Sequence, residues 1–366
     1  MVVATLLPFT PVTSGGMDEL RTGLSYGDVL VVPQRSGVDS RSEVDLSTRL
    51  TDDLELAAPL LSAPMDTVTE AETAIAMDEA GGMGTIHRFL TIEEQAAEVR
   101  EAVEAEATVG AAVGIAGDPI DRAEAVVDAG ADCVMVDVAH GHLERCLDAV
   151  AAIRDAFPAL DLIAGNVATP AGVADLAEAG ADCVKVGIGP GSHCTTRRVA
   201  GAGVPQLTAV DDCAEAAEEY GVRTIADGGI RCSGDAVKAL LAGSDAVMMG
   251  SLFAGTAEAP PETVEIDGTR YKRSRGMATT AANEARSDSD ALPDADEGVE
   301  GLTEYRGPLV DVAAEFAAGI RSGLSYAGGH TIADARESAE FIRVAQSARD
   351  REGAHGDHDW ESIVVE

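Results

Sequence analysis

Short apolar runs rich in Val, Ile and Leu recur along the chain, each followed by an amphipathic stretch of helical length. The alternation predicts strands over 59–65, 83–87, 108–114, 133–140, 162–167, 183–189, 224–230 and 246–253. Their starts lie roughly 25 residues apart, about the length of one βα unit, and the interval after the sixth is longer. The spacing repeats in detail. Asp128-Ala-Gly-Ala-Asp-Cys-Val-Met-Val-Asp137, Glu178-Ala-Gly-Ala-Asp-Cys-Val-Lys-Val-Gly187 and Leu241-Ala-Gly-Ser-Asp-Ala-Val-Met-Met-Gly250 each read as a helix end, a Gly cap and a short strand. Asp118-Pro119 and Thr169-Pro170 each set a capping side chain before a Pro at the first helical position. Leu143, Leu147, Val150 and Phe157 fall on one expected helical face. Eight strands alternating with helices predict an α/β fold, a single-domain (β/α)8 TIM barrel rather than an open sheet.

In such a barrel the loops after the strands form the active face. Asp66, His87, Asp137, His140, Asn166, Cys194, Asp227 and Ser251 all fall at or just beyond those strand ends. The barrel is expected over 17–349. An acidic stretch at about 271–301 breaks the rhythm and reads as a flap over the active face. Residues 1–16 read as a loose extension and 350–366 as a flexible tail.

The formal net charge is −38, and the only lysines are Lys185, Lys238 and Lys272. Such a surface repels phosphodiester backbones and anionic membranes, which excludes nucleic acid and membrane partners from the expected set. Screening by concentrated salt would offset the self-repulsion, so a salt-rich, halophilic cytoplasm is the expected setting. Six cysteines without a C-x-x-C pair point to reduced thiols in a cytosol. No apolar run approaches the length of a membrane span, and no basic region precedes the N-terminal apolar patch.

The chemistry concentrates after the sixth strand, at Val184-Lys-Val-Gly-Ile-Gly-Pro-Gly-Ser-His-Cys-Thr-Thr-Arg197. Glycines let backbone approach a ligand or an ion closely, and a thiol just beyond can attack that ligand. A lone cysteine would more often be an inert apolar residue; its company argues otherwise. Asp227-Gly228-Gly229 ends the seventh strand and Gly250-Ser251 the eighth, where barrels commonly receive a phosphate. The Asp227 carboxylate suits ribose hydroxyls. Asp137, His140 and Asn166 on neighbouring strand ends suggest a second pocket, fit for a ribose and an amide.

The string Gly187-Ile-Gly-Pro-Gly-Ser-His-Cys-Thr-Thr-Arg197 resembles the IMP dehydrogenase/GMP reductase family. So do Ser62-Ala-Pro-Met-Asp66, Val136-Asp-Val-Ala-His-Gly-His142, Ala164-Gly-Asn-Val167 and Ile225-Ala-Asp-Gly-Gly-Ile230. The resemblance implies a GMP or IMP site, a nicotinamide cofactor, and Cys194 joined covalently to C2 of the purine. It implies nucleotide contacts at Ser192, Asp227, Gly228, Gly229, Gly250, Ser251, Gly276 and Met277, and cofactor contacts at Asp137, Asn166, Gly187, Ile188 and Gly189. It also implies a K+ held by the carbonyls of Gly189, Gly191 and Cys194, and a homotetramer. Many dehydrogenases of the family carry paired regulatory modules between the second and third strands; residues 92–106 leave no room for them, and reductases resemble this compact form.

Two activities follow from the resemblance. A dehydrogenase oxidises IMP to XMP with NAD and hydrolyses the thioimidate, the family using an Arg-Tyr pair in the flap. No Arg-Tyr pair occurs between Met277 and Gly301. A reductase uses NADPH to convert GMP to IMP and ammonia, with Thr196 and a flap glutamate handling protons. Thr196 is present, and Glu284 is the glutamate nearest to the usual place after Met277. Motifs of both flavours occur, and mechanism decides the expectation: a GMP reductase, with IMP dehydrogenation using Arg286 as the alternative. A nucleotide-binding regulator without turnover is the third reading.

Overall fold

The computed structural model describes residues 20–117, 119–287 and 295–349. The expected extension, the tail, the Asp118 cap and residues 288–294 of the flap lie outside the described residues. Eight parallel strands close a barrel. They are β1 (Leu60–Ser62), β2 (Met83–Ile86), β3 (Val109–Val113), β4 (Cys133–Asp137), β5 (Asp161–Val167), β6 (Cys183–Val186), β7 (Arg223–Asp227) and β8 (Ala246–Met249). β6 pairs with β7, and β8 with β1, which completes the ring. Around it lie α1 (Ala71–Glu79), α2 (Ile92–Glu104), α3 (Pro119–Asp128), α4 (Glu144–Ala156), α5 (Pro170–Glu178), α6 (Gln206–Tyr220), α7 (Ser233–Leu241) and α8 (Leu309–Ala327).

Side chains alternate across each strand, so the barrel has two cores. Leu61, Met83, Met135, Ile163, Ile225 and Met248 fill the lumen together with Leu50, Leu54 and Leu56 of a small hairpin. That hairpin closes the N-terminal mouth, where Thr48 Oγ1 donates to the Asp245 carbonyl just ahead of β8 (2.8 Å). Leu60, Val109, Val134, Val136, Leu162 and Val184 face outward against the helices. Burial on both faces explains the near-continuous apolar runs.

Thr169 accepts from the Gly172 amide and caps α5 as expected, and Thr91 with Glu94 forms a capping box on α2. The face expected on α4 differs. Cys146, Ala149, Val150 and Ile153 are buried, while Leu143 is 43% exposed. Leu143 is the extended residue before the first turn and Phe157 the residue after the last, so helical periodicity governs neither. Several strands stop short of their expected ends. At β7 the reason is local: Gly228 and Gly229 take φ of +86° and +79° and turn the chain out of the sheet.

Beyond β8 an antiparallel sheet forms the flap: β9 (Thr263–Ile266), β10 (Thr269–Arg275) and β11 (Glu300–Glu304). Pairing of Tyr271 with Glu304 through Arg275 with Glu300 brackets the acidic excursion, which opens with a short helix over Thr280–Ala285. No helix among the described residues is long and apolar enough to cross a membrane.

Candidate active site

Cys194 stands apart from most of the other cysteines. Cys133, Cys146, Cys183 and Cys213 are buried, Cys232 is exposed, and Cys194 is half-buried on the active face. Burial pushes the Cys146 thiol up to about 11 and moves Cys133, Cys183 and Cys213 further in the same direction. Those four are held as inert thiols.

The cysteine loop is pressed against the end of β7. A Cβ on Gly187 would lie 2.3 Å from the Asp227 carbonyl oxygen, and one on Gly228 would lie 3.1 Å from Pro190 Cγ and 3.2 Å from the Gly191 nitrogen. The glycines at these points are needed for close packing of loop on strand end. Arg197 braces the loop from behind, its Nε donating to the Ile188 carbonyl (3.2 Å). The loop that carries the sulfur is therefore packed on the end of β7, and Cys194 is not sunk in the core.

The flap meets this loop as a strand would. The Thr195 amide donates to the Glu297 carbonyl (2.8 Å) and the Val299 amide to the His193 carbonyl (2.9 Å), with Cys194 opposite Gly298. This pairing delivers the Glu297 side chain to Thr196. The Cys194 thiol lies 3.2 Å from Thr196 Oγ1, and that hydroxyl donates to Glu297 Oε2 at 2.7 Å. The carboxylate beside Thr196 is thus Glu297, not the expected Glu284. Glu284 is exposed on the short flap helix, which presents it to solvent. The return limb of the flap supplies the acid instead, and its signal in the sequence was Glu297-Gly298 leading into β11.

A second cluster lies deeper, at the ends of β4 to β7. Lys185 is 1% exposed. Its ammonium contacts Asp137 Oδ1 (2.6 Å), Asp227 Oδ2 (2.7 Å) and Asn166 Oδ1 (2.6 Å). Asn166 Nδ2 donates in turn to Asp227 Oδ2 (2.8 Å) and the Gly187 carbonyl (2.9 Å). Although burial alone would lower it, the Lys185 pKa is raised by Asp137 and Asp227. Three of the expected site residues, Asp137, Asn166 and Asp227, are brought together here by a lysine that sequence reasoning passed over as a strand residue. A lone Lys inside an apolar strand, flanked by strands ending in Asp and Asn, was the available signal.

The remaining expected residues divide. Ser192 is exposed, its Oγ 3.1 Å from His193 Nδ1. His193 Nε2 lies 2.9 Å from Ser274 Oγ, which also pairs with Thr303 Oγ1 (2.8 Å). Gly250 and Ser251 follow β8, where a Cβ on Gly250 would lie 2.6 Å from Met65 Sδ. Gly276 abuts the His193 carbonyl, and Met277 Sδ receives the Asp66 amide (3.4 Å). Asp66 itself holds Arg275 Nε (2.9 Å) and ties flap to barrel. His140 is exposed. His87 is buried, 3.3 Å from Glu70 and accepting from the Phe89 amide, so neither histidine joins the cluster around Lys185. Of the three carbonyls expected to hold a cation, that of Gly191 accepts from the Cys194 amide (3.1 Å).

A half-buried thiol coupled to a hydroxyl and a carboxylate, on the C-terminal rim of a (β/α)8 barrel, is an arrangement suited to nucleophilic chemistry at sulfur. A sequence model of the IMP dehydrogenase / GMP reductase domain matches residues 23–355. The chain belongs to this family of purine nucleotide oxidoreductases. It is 36% identical to an inosine-5'-monophosphate dehydrogenase of Nitrosopumilus maritimus over 462 positions, covering 90% of this chain and 97% of that protein. It is 35% identical to a GMP reductase of Leishmania major over 483 positions, covering 93% and 98%. Both alignments are longer than this chain, so both relatives carry residues without a counterpart here. α2 leads into β3 with only residues 105–108 between them, in keeping with the compact form. A solved structure of a GMP reductase variant from Trypanosoma brucei in complex with guanosine 5'-monophosphate superposes with a TM-score of 0.88. It is 32% identical, covering 93% of this chain and 99% of that one.

Proposed function

We propose that the protein is a GMP reductase that converts GMP and NADPH to IMP, ammonia and NADP+. The observation that carries this reading is the Cys194–Thr196–Glu297 relay, with no Arg-Tyr pair between Met277 and Gly301. Cys194, as thiolate, adds to C2 of the purine. The C2 amino group then leaves as ammonia, and the protons it takes up pass through Thr196 from Glu297. What remains is a thioimidate on Cys194. Bound NADPH supplies the hydride that reduces C2, after which the C–S bond breaks and the thiolate is restored with IMP released. Nothing in this sequence requires an activated water.

The nucleotide is assigned to the rim of β6 to β8. The second oxygen of Asp227 faces the ribose, Ser192, Gly228, Gly229, Gly250 and Ser251 receive the phosphate, and Gly276 and Met277 border the base. The cofactor is assigned to Asp137 and Asn166 with the backbone of Gly187, Ile188 and Gly189. A K+ ion would sit on the carbonyls of Gly189, Gly191 and Cys194, where it would steady the loop.

The alternative, NAD-dependent oxidation of IMP to XMP, needs a base for water. Arg286 stacks over Phe89 (4.3 Å) and donates to Asn283 (2.9 Å), and Arg275 is held by Asp66. Residues 288–294 contain neither Arg nor Tyr. Arg286 and Arg275 are therefore each engaged by neighbours other than Cys194. Incubation with GMP plus NADPH, and separately with IMP plus NAD, tests the choice. GMP-dependent loss of NADPH with IMP formed is expected; XMP formation without it overturns the proposal. Nucleotide binding with neither reaction would mark a regulator without turnover.

A further inference from the structure

We infer that Lys185 is a positioning residue through which the nucleotide and cofactor subsites share a single cation. The inference rests on the assignment of Asp227 to the nucleotide ribose and Asp137 to the cofactor.

The geometry is closed on one side and open on the other. An ammonium has three N–H donors, and Lys185 spends them on three acceptors, one each from Asp137, Asn166 and Asp227. Each carboxylate uses only one oxygen for the lysine. Among the described residues the second oxygen of each has no hydrogen-bond partner, and the two side chains are 24% and 21% exposed against 1% for the lysine. The cation is thus sealed in, while each part-exposed carboxylate keeps one oxygen that the lysine does not use. Two diols could be read by these two oxygens, one on each ligand.

The fold commits several features to this arrangement. A Cβ on Gly165 would lie 2.6 Å from Lys185 Cβ, so β5 must be bare where the lysine passes. The β5–β6 register slips between Gly165 and Val167; a bulge of this kind re-aims a side chain, and the residue it re-aims is Asn166. Lys185 is also one of only three lysines in a chain of net charge −38. With two carboxylates and one ammonium, the cluster stays one charge negative. Loss of the cation would leave two part-buried like charges with no counter-ion, and the carboxylates would turn away from each other. Damage to either subsite is then felt at the other.

The test is direct binding, measured by calorimetry on the full chain, of GMP, of IMP and of NADP+. Lys185→Met is expected to weaken nucleotide and dinucleotide together, each by about tenfold or more, while the rate at which iodoacetamide alkylates Cys194 stays within about twofold. That last readout shows the cysteine loop intact, which a general structural failure would not leave so. Lys185→Arg, which keeps the charge, is expected to recover part of both affinities. Should Lys185→Met fail to fold, Asp137→Asn carries the same test from the other side. It is expected to change nucleotide affinity by about threefold or more, although Asp137 belongs to the cofactor subsite. Nucleotide affinity unchanged in Asp137→Asn, or only one ligand affected in Lys185→Met, overturns the inference. A wild-type protein that binds neither GMP nor IMP overturns the functional assignment itself, and the two failures are told apart by that control.

Discussion

Thr196 and Glu297 are 101 residues apart in the chain, yet the hydroxyl of one donates to the carboxylate of the other at 2.7 Å. The contact exists because the return limb of the flap pairs with the cysteine loop, through Thr195 to Glu297 and Val299 to His193. If Glu297 supplies protons to the departing amino group, Glu297→Gln keeps the hydrogen bond and loses the proton. Steady-state assays with GMP and NADPH are expected to show kcat lower by about 100-fold or more with KM for GMP little changed. Glu284→Gln, on the exposed side of the short helix, is expected to stay within about twofold of wild type. The reverse ranking would return the role to Glu284.

The cysteines offer a chemical check on which sulfur reacts. Four are buried with thiols pushed upward by burial, so only Cys194 and the exposed Cys232 should be carboxymethylated in the native protein. Peptide mass spectrometry is expected to find label at these two positions and, with GMP present, protection at Cys194 alone. Cys194→Ala is expected to abolish turnover and leave nucleotide binding within about tenfold. Label at Cys133 or Cys183 without denaturant would contradict the packed lumen.

The barrel was legible in the sequence because its signal is local and repeated: three copies of helix end, Gly and short strand announce the same unit. The strand ends were less legible, since positive φ at Gly228 and Gly229 ends β7 where the apolar pattern continues to Ile230. The site divides on the same principle. Cys194, Thr196, Asp227 and Asn166 stand beside glycines in continuous motifs and could be read directly. Glu297 and Lys185 could not, since each is defined by a contact across elements. The partner of Thr196 depends on how a long flap folds back, which no spacing near Met277 encodes. Lys185 lay in plain view within β6, but its meaning comes from other strand ends, Asn166 on β5 and Asp227 on β7 at its sides and Asp137 on β4 beyond.

His193 gives a pH dependence whose sign can be worked out. Burial lowers its pKa from an unfolded value near 6.5, and its ring bridges Ser192 on the loop and Ser274 on the flap. The folded protein therefore binds fewer protons than the unfolded chain between that value and the lower folded one. The stability this contributes is present above pH of about 6.5 and is lost as pH falls through the window. Several acids move the other way on burial, Asp245 and Asp211 among them, so the comparison must be a difference. Thermal melts of wild type and His193→Gln between pH 5 and 8 are expected to converge on the acid side, the wild type losing more. Parallel curves would show that the imidazole does not titrate across folding.

The acidity of the surface makes a prediction about salt that can be separated from general salting-out. A cavity of about 480 Å³ is lined by Glu70, Glu72, Glu98, Glu101, Glu258 and Glu262, with Lys272 at its edge. Lys272 is turned to the carbonyls of Ala257 and Ala259 rather than to a carboxylate. Glu98 is raised there by burial first, although the Ala71 amide opposes it, and next by the charges of Glu70 and Glu101. The part contributed by Glu70 and Glu101 is repulsion between carboxylates, and it is screened as the Debye length shrinks from about 10 Å at 0.1 M salt to 3 Å at 1 M. The melting temperature is expected to rise from 0.1 to 2 M KCl. Any protein may gain from concentrated salt through exclusion effects, so the discriminating variant is Glu101→Lys. It is expected to stabilise the protein by about 0.5–1 kcal/mol in dilute buffer and to lose that advantage by 2 M, because only a Coulombic gain is screened away. An advantage that persists undiminished in 2 M KCl would mean that packing, not charge, sets the cost of this acidic wall.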